Sequence, residues 1–199
     1  MKHFLFTLLM LCSTCSLIGQ EKEDINLLIT DDSWRKESFR FPIPFAKSID
    51  FDGVADVRFT KGWEDKNSPN FWSYAFGWKI VLEEKLSDTE IENYMQLYFD
   101  GLMKVVNKDK SKDIPSTIAL FTSTTSGETI NYKGKIRIYD AFFTQKIITL
   151  NVQGHYSYCN LQNKSIYLFK LSPQELGSPV WKHINKTTLR SDICTLKLK

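Results

Sequence analysis

Most of the chain alternates between apolar and polar residues. In RKESFRFPIPF, Phe39, Phe41, Ile43 and Phe45 fall on one side, with Ser38 and Arg40 on the other. That is the period of a half-buried strand. Pro42 and Pro44 restrict the stretch to an edge strand or an extended lead-in, because proline donates no ladder hydrogen bond. VADVRFT repeats the pattern, with Ala55, Val57 and Phe59 set against Asp56, Arg58 and Thr60.

The aromatic run FWSYAFGWKIVL is the densest case. Trp72, Tyr74, Phe76, Trp78, Ile80 and Leu82 share one parity, while Ser73, Ala75, Gly77 and Lys79 share the other. A strand collects these rings on one face, whereas a helix would scatter them. The aromatic face is expected to be core, since exposed apolar patches of that size are rare. An exposed stacking platform is the alternative. The opposite face lacks bulk, so it either admits a close-packed element or floors a shallow groove. The second possibility makes Ser73 and Gly77 candidate ligand-binding positions.

The period then changes. In SDTEIENYMQLYFDGLMKVV, Ile91, Tyr94, Met95, Tyr98, Leu102 and Val105 recur at helical spacing, and Ser87 with Glu90 forms a capping box. An amphipathic helix of about five turns is expected. Gly101 either weakens it or lets a neighbour approach closely.

Strand patterns return in STIALFTS, TINYKGKIRIY, KIITLNVQGHYSY and KSIYLFKLS, the last apolar enough on both faces to be central. SPVWKHINKTTL suggests a short helix starting near Pro179, and DICTLKLK a last strand. Most connections are too short for crossover helices. The expected fold class is therefore α+β: a single, mainly antiparallel twisted sheet of five to seven strands, with one long amphipathic helix packed on its aromatic face.

The first residues, MKHFLFTLLMLCSTCSLIGQ, do not fit this scheme. Lys2 precedes an apolar run from Phe4 to Leu11 that is too short to span a bilayer, and small or polar residues follow. This is the anatomy of a secretory signal peptide. Cleavage is expected after Gly19, or alternatively after Ser16, leaving residues 20–199 as one domain in the periplasm or secreted. A lipid anchor at Cys12 or Cys15 is disfavoured, because Leu11 and the Ser13–Thr14 pair fit a lipobox poorly. No other segment has the length of a transmembrane helix.

FPIPFA, VRFTKGW, FWSYAFGW and YFDGLM, lying between Phe41 and Met103, resemble the signature segments of a group of small exported bacterial proteins. The layout also resembles the PsbP-like α/β/α sandwich. The first resemblance implies export, and neither brings catalytic residues to these positions. A likeness of fold does not supply a function.

The chain has 199 residues and a formal net charge of +3, which falls to +2 once Lys2 leaves with the leader. So small a charge argues against nucleic acid as a partner. Cys159 and Cys194 are the two cysteines left after cleavage. They either pair in an oxidising compartment or remain separate buried thiols.

Candidate chemistry is sparse. P-loop, GxGxxG, HExxH and GxSxG motifs are all missing, so no cofactor or metal is expected. The acidic pairs at 31–32 and 83–84 read as solvated turn charges. Asp140 and His155 would form an acid/base pair if their strands were hairpin neighbours in the right register, although an ordinary surface His is the plainer reading. Lys133, Lys135 and Arg137 line one strand face. They are either a solvated face or a stripe for an anionic ligand: a glycan carboxylate, a phosphate or an acidic protein partner. The expectation is an exported envelope binding or assembly module without cofactor. The alternatives are a small hydrolase-type enzyme using Asp140 and His155, or a structural accessory subunit.

Overall fold

A computed structural model describes residues 25–127 and 129–195; the expected leader, with Cys12 and Cys15, lies outside them. In chain order the elements are β1 (Leu28–Ile29), β2 (Arg35–Arg40), β3 (Gly53–Phe59), β4 (Tyr74–Val81), α1 (Asp88–Val106), β5 (Ile118–Ser126), β6 (Thr129–Asp140), β7 (Lys146–Cys159), β8 (Lys164–Ser172), α2 (Pro179–Ile184) and β9 (Thr188–Leu189). Seven strands form one sheet in the order β2-β3-β4-β8-β7-β6-β5, while β1 and β9 pair separately. Every pairing is antiparallel.

The topology explains the helix. β2, β3 and β4 meander to the middle of the sheet, and β5 to β8 meander back from the far edge until β8 meets β4. Only the connection between β4 and β5 must cross the sheet, and α1 makes that crossing. With two helices against so much sheet, the fold is mainly β rather than a balanced α+β class. The reason lies in β6 and β7, which run unbroken for 12 and 14 residues.

The aromatic parity is core. Tyr74, Phe76, Trp78 and Ile80 are buried, and Phe76 stacks on Tyr98 of α1 with ring centroids 5.7 Å apart. Trp72 precedes the strand instead of belonging to it and has a left-handed backbone, φ 52°. The capping box forms as expected: the Glu90 amide donates to Ser87 Oγ, and the Ser87 amide donates to Glu90 Oε2 at 2.8 Å. The buried stripe keeps Ile91, Met95 and Tyr98 of the expected positions and adds Phe99 and Met103, while Tyr94 and Leu102 are half-buried and Val105 is exposed. Ile91, Met95, Phe99 and Met103 follow an i+4 row, a ridge inclined to the helix axis.

α1 also covers the edge of the sheet. Asp88, Glu92 and Asp100 accept hydrogen bonds from the backbone amides of Ser123, Phe121 and Thr117, at 3.1, 2.8 and 2.7 Å. Filling edge donors in this way removes a template for pairing with another chain. On the other side of the sheet, a second layer covers β3, β4 and β8. Ile25, Leu27, Leu28 and Ile193 pack there on Val54, Ala75, Ile166 and Leu168. DICTLKLK is not a strand as far as residue 195: residues 191–195 are turns, and 196–199 lie outside the described residues. No helix among the described residues is long and apolar enough to cross a membrane.

Candidate functional site

The second layer stops at β8, so the β6–β7 face beside it stays open and a step forms between the two. A cleft of about 650 Å³ occupies that step. Antiparallel register decides what lines it. Asn131, His155 and Leu168 lie directly across from one another on β6, β7 and β8, and Lys133, Gln153 and Lys170 form the adjacent row. Asn185, Thr187 and Leu189, from the connection between α2 and β9, complete the wall.

Among the described residues the lining contains two lysines, a histidine and several hydroxyl or amide side chains, and no carboxylate. Lys170 is half-buried and donates from Nζ to the Asn185 carbonyl at 3.2 Å. Burial lowers its pKa. His155 Nδ1 lies 3.4 Å from Asn131 Oδ1. In this contact the carbonyl oxygen accepts, and Nδ1 donates when it carries the ring proton. Burial lowers the His155 pKa first, and the neighbouring Lys170 charge lowers it further. Thr187 is buried, and its hydroxyl has no hydrogen-bond partner among the described residues.

Of the residues expected from sequence, Lys133 and His155 meet in this cleft. Lys135 and Arg137 continue along the same face of β6 but outside it, exposed and opposite Asn151 and Thr149. Ser73 and Gly77 are not a groove floor. Ser73 is buried and shares a 2.8 Å hydrogen bond with Ser172 Oγ. Gly77 lies under Leu28, whose Cδ2 would sit 3.1 Å from a Cβ at that position. The small-residue face therefore admits a packed element.

Asp140 and His155 do not meet. Asp140 pairs across from Lys146 and His155 across from Asn131. Nine residues of β7 separate the two positions, roughly 30 Å at strand rise, and the side chains belong to opposite parities. The Asp140 carboxylate is buried and accepts from the amides of Phe142, Phe143 and Thr144 and from the Thr144 hydroxyl. It holds the β6–β7 turn, which leaves the hydrolase pair without a basis.

Cys159 and Cys194 are bonded, with Cα atoms 5.2 Å apart. Sequence reasoning missed Lys170, Asn185 and Thr187. A lysine set between Phe169 and Leu171 in a central strand was the available signal, because lysine is rarely taken into such surroundings without a role or a partner. No group of three or more His, Cys, Asp or Glu among the described residues is placed to hold a metal ion. No protein family, curated protein or solved structure matches the chain.

Proposed function

We propose that this chain is an exported, cofactor-free binding module of the bacterial envelope, and that its cleft captures an acidic glycan residue. The observation that carries this reading is the pair Lys133 and Lys170 in one cross-strand row, flanking Gln153, in a cleft whose described lining residues include no carboxylate. Two cations with no counter-ion among the described lining residues favour an anionic guest, and the amides of Asn131 and Gln153 offer partners for sugar hydroxyls. Leu189, partly exposed in the cleft wall, offers an apolar surface for a ring face. A volume of about 650 Å³ falls in the range of small-ligand sites, roughly 300–1,000 Å³. The Cys159–Cys194 bond supports export, since such bonds persist in oxidising compartments.

Calorimetric titration of the mature chain with uronic-acid oligosaccharides, their neutral counterparts and inorganic phosphate tests the reading. The acidic oligosaccharide should bind, more weakly as salt rises, and Lys133→Glu should abolish capture without moving the melting temperature. Lys170→Met should weaken it. Equal binding of acidic and neutral sugars, or an unaffected Lys133→Glu variant, overturns the proposal. Binding of phosphate alone would keep the anion site and reject the glycan. Mass spectrometry of the envelope fraction should find a mature N-terminus between Ser16 and Gln20; a retained Met1–Leu11 segment would reject export.

A further inference from the structure

The helix-covered face of the sheet holds a second, separate cavity, of about 90 Å³, at the ends of β2, β3 and β4 near α1. Its wall is made largely of rings, among them Phe59, Trp63, Trp72, Tyr74 and Tyr98, with Glu37 and Arg35 from β2. We propose that this aromatic cage binds a methylated ammonium group, with Glu37 as its counter-ion.

Three observations support a site here rather than plain core. The first is backbone strain. Trp72 holds φ 52°, a conformation that costs a bulky L-residue on the order of 1–3 kcal/mol and that concentrates at functional positions. Its indole nitrogen is also buried without a hydrogen-bond partner among the described residues.

The second is that the cage already attracts a cation. The Arg35 guanidinium lies 5.2 Å from the ring centroids of both Phe59 and Trp63, the geometry of a cation–π contact. Arg35 is half-exposed, however, and is held by Glu37 at 2.8 Å.

The third is the field beyond Arg35. Tyr74 and Tyr98 are almost fully buried. Burial raises the pKa of Tyr98 above its ordinary 10, and the Glu37 charge raises it further, so the negative charge is felt inside.

Size and chemistry narrow the guest. A sugar or nucleotide needs a pocket of roughly 300 Å³ or more, whereas this space suits a trimethylammonium head. A methylated cation is weakly hydrated and interacts with ring faces from every side. A primary ammonium would lose its hydration without a matching set of acceptors. When the guest takes Glu37, Arg35 has a second carboxylate within reach, since its Nη1 lies 3.8 Å from Glu64.

Choline, tetramethylammonium and the neutral carbon analogue of choline, in which a tert-butyl group replaces trimethylammonium, would be titrated into the mature chain. The readouts are the Trp72 indole NMR signal and tryptophan fluorescence. Both cations should shift the signal, and the neutral analogue should bind about tenfold more weakly or worse. Glu37→Gln should weaken choline about tenfold, and Arg35→Met, which removes the competing cation, should tighten it. Lys133→Glu should leave choline binding unchanged, separating this site from the cleft. Equal binding of the neutral analogue, no loss in Glu37→Gln, or no response from Trp72 would overturn the proposal. Phosphatidylcholine vesicles distinguish the source of the group: sedimentation with vesicles, competed by choline, identifies a lipid headgroup. Choline binding without sedimentation identifies a soluble solute.

Discussion

The Asp56 carboxylate, fully buried in β3, accepts hydrogen bonds from the backbone amides of Leu27 at 2.7 Å and Leu28 at 3.1 Å. Arg58 pairs with the same carboxylate at 2.7 Å. One acidic side chain thus clamps the N-terminal arm to the sheet. Asp56→Ala would leave two amides without their acceptor and remove the carboxylate beside a largely buried guanidinium, which keeps its bond to Asn26. The expected loss is about 3–5 kcal/mol, the cost of breaking a buried pair from one side. Urea unfolding measures it, and a loss well below 1 kcal/mol would show that the arm is not held this way.

Gly101 gives a prediction in which two effects oppose each other. Helix propensity alone favours Gly101→Ala by about 1 kcal/mol. A Cβ at that position, however, would meet the Phe45 carbonyl oxygen at 1.9 Å. Relieving that overlap moves backbone, which costs about 1–3 kcal/mol or more. The variant should therefore melt at a lower temperature than the parent. A higher melting temperature would mean that the 45–46 segment yields freely.

These two residues show what could be read in advance. The sequence pattern located the seven strands of the large sheet, α1 and the aromatic core face, because alternation and helical spacing follow from the direction of side chains along each element; it missed the short β1–β9 pair and read a strand into DICTLKLK, where residues 191–195 are turns. Gly101 was recognisable as a weak helix position or a contact point, but only the fold identifies Phe45 as the contact. Asp56 looked like the solvent side of an alternating strand. Nothing local to VADVRFT announces that an arm some thirty residues earlier covers it. The cleft was half legible for the same reason: Lys133 and His155 stand out on their strands, whereas Lys170 joins them only through register, and Thr187 only through the return of the chain beside β8. Asp140 failed as a catalytic candidate because residue type carries no register.

The Cys159–Cys194 bond ties the end of β7 to the C-terminal turn, closing a loop with a sequence separation of 35. In the chain-entropy account a loop of that length stabilises the folded chain by about 4 kcal/mol. Replacing both cysteines with serine, or reducing the bond, should lower the unfolding midpoint accordingly. Thiol counting on unreduced protein should find neither cysteine free. An unchanged midpoint after reduction would mean that the bond contributes nothing to stability.

The last prediction concerns pH. Burial and the Lys170 charge hold the His155 pKa below its ordinary 6.5. Around that pH the unfolded chain binds more protons at this site than the folded chain. The contribution of His155 to stability is therefore largest above about 6.5 and declines as pH falls toward the depressed value. A bound anion reverses the preference, because it favours the imidazolium. Capture of a uronic-acid oligosaccharide should thus take up a proton and tighten as pH drops from about 7 to about 5.5, as long as the sugar carboxylate stays ionised. NMR titration of the imidazole should show its pKa rising when the oligosaccharide is present. His155→Asn, which keeps a polar side chain beside Asn131, should flatten the pH dependence while retaining salt-sensitive binding through Lys133 and Lys170. An affinity that does not change across this range, or a ring pKa that does not move, would place the anion elsewhere than beside His155.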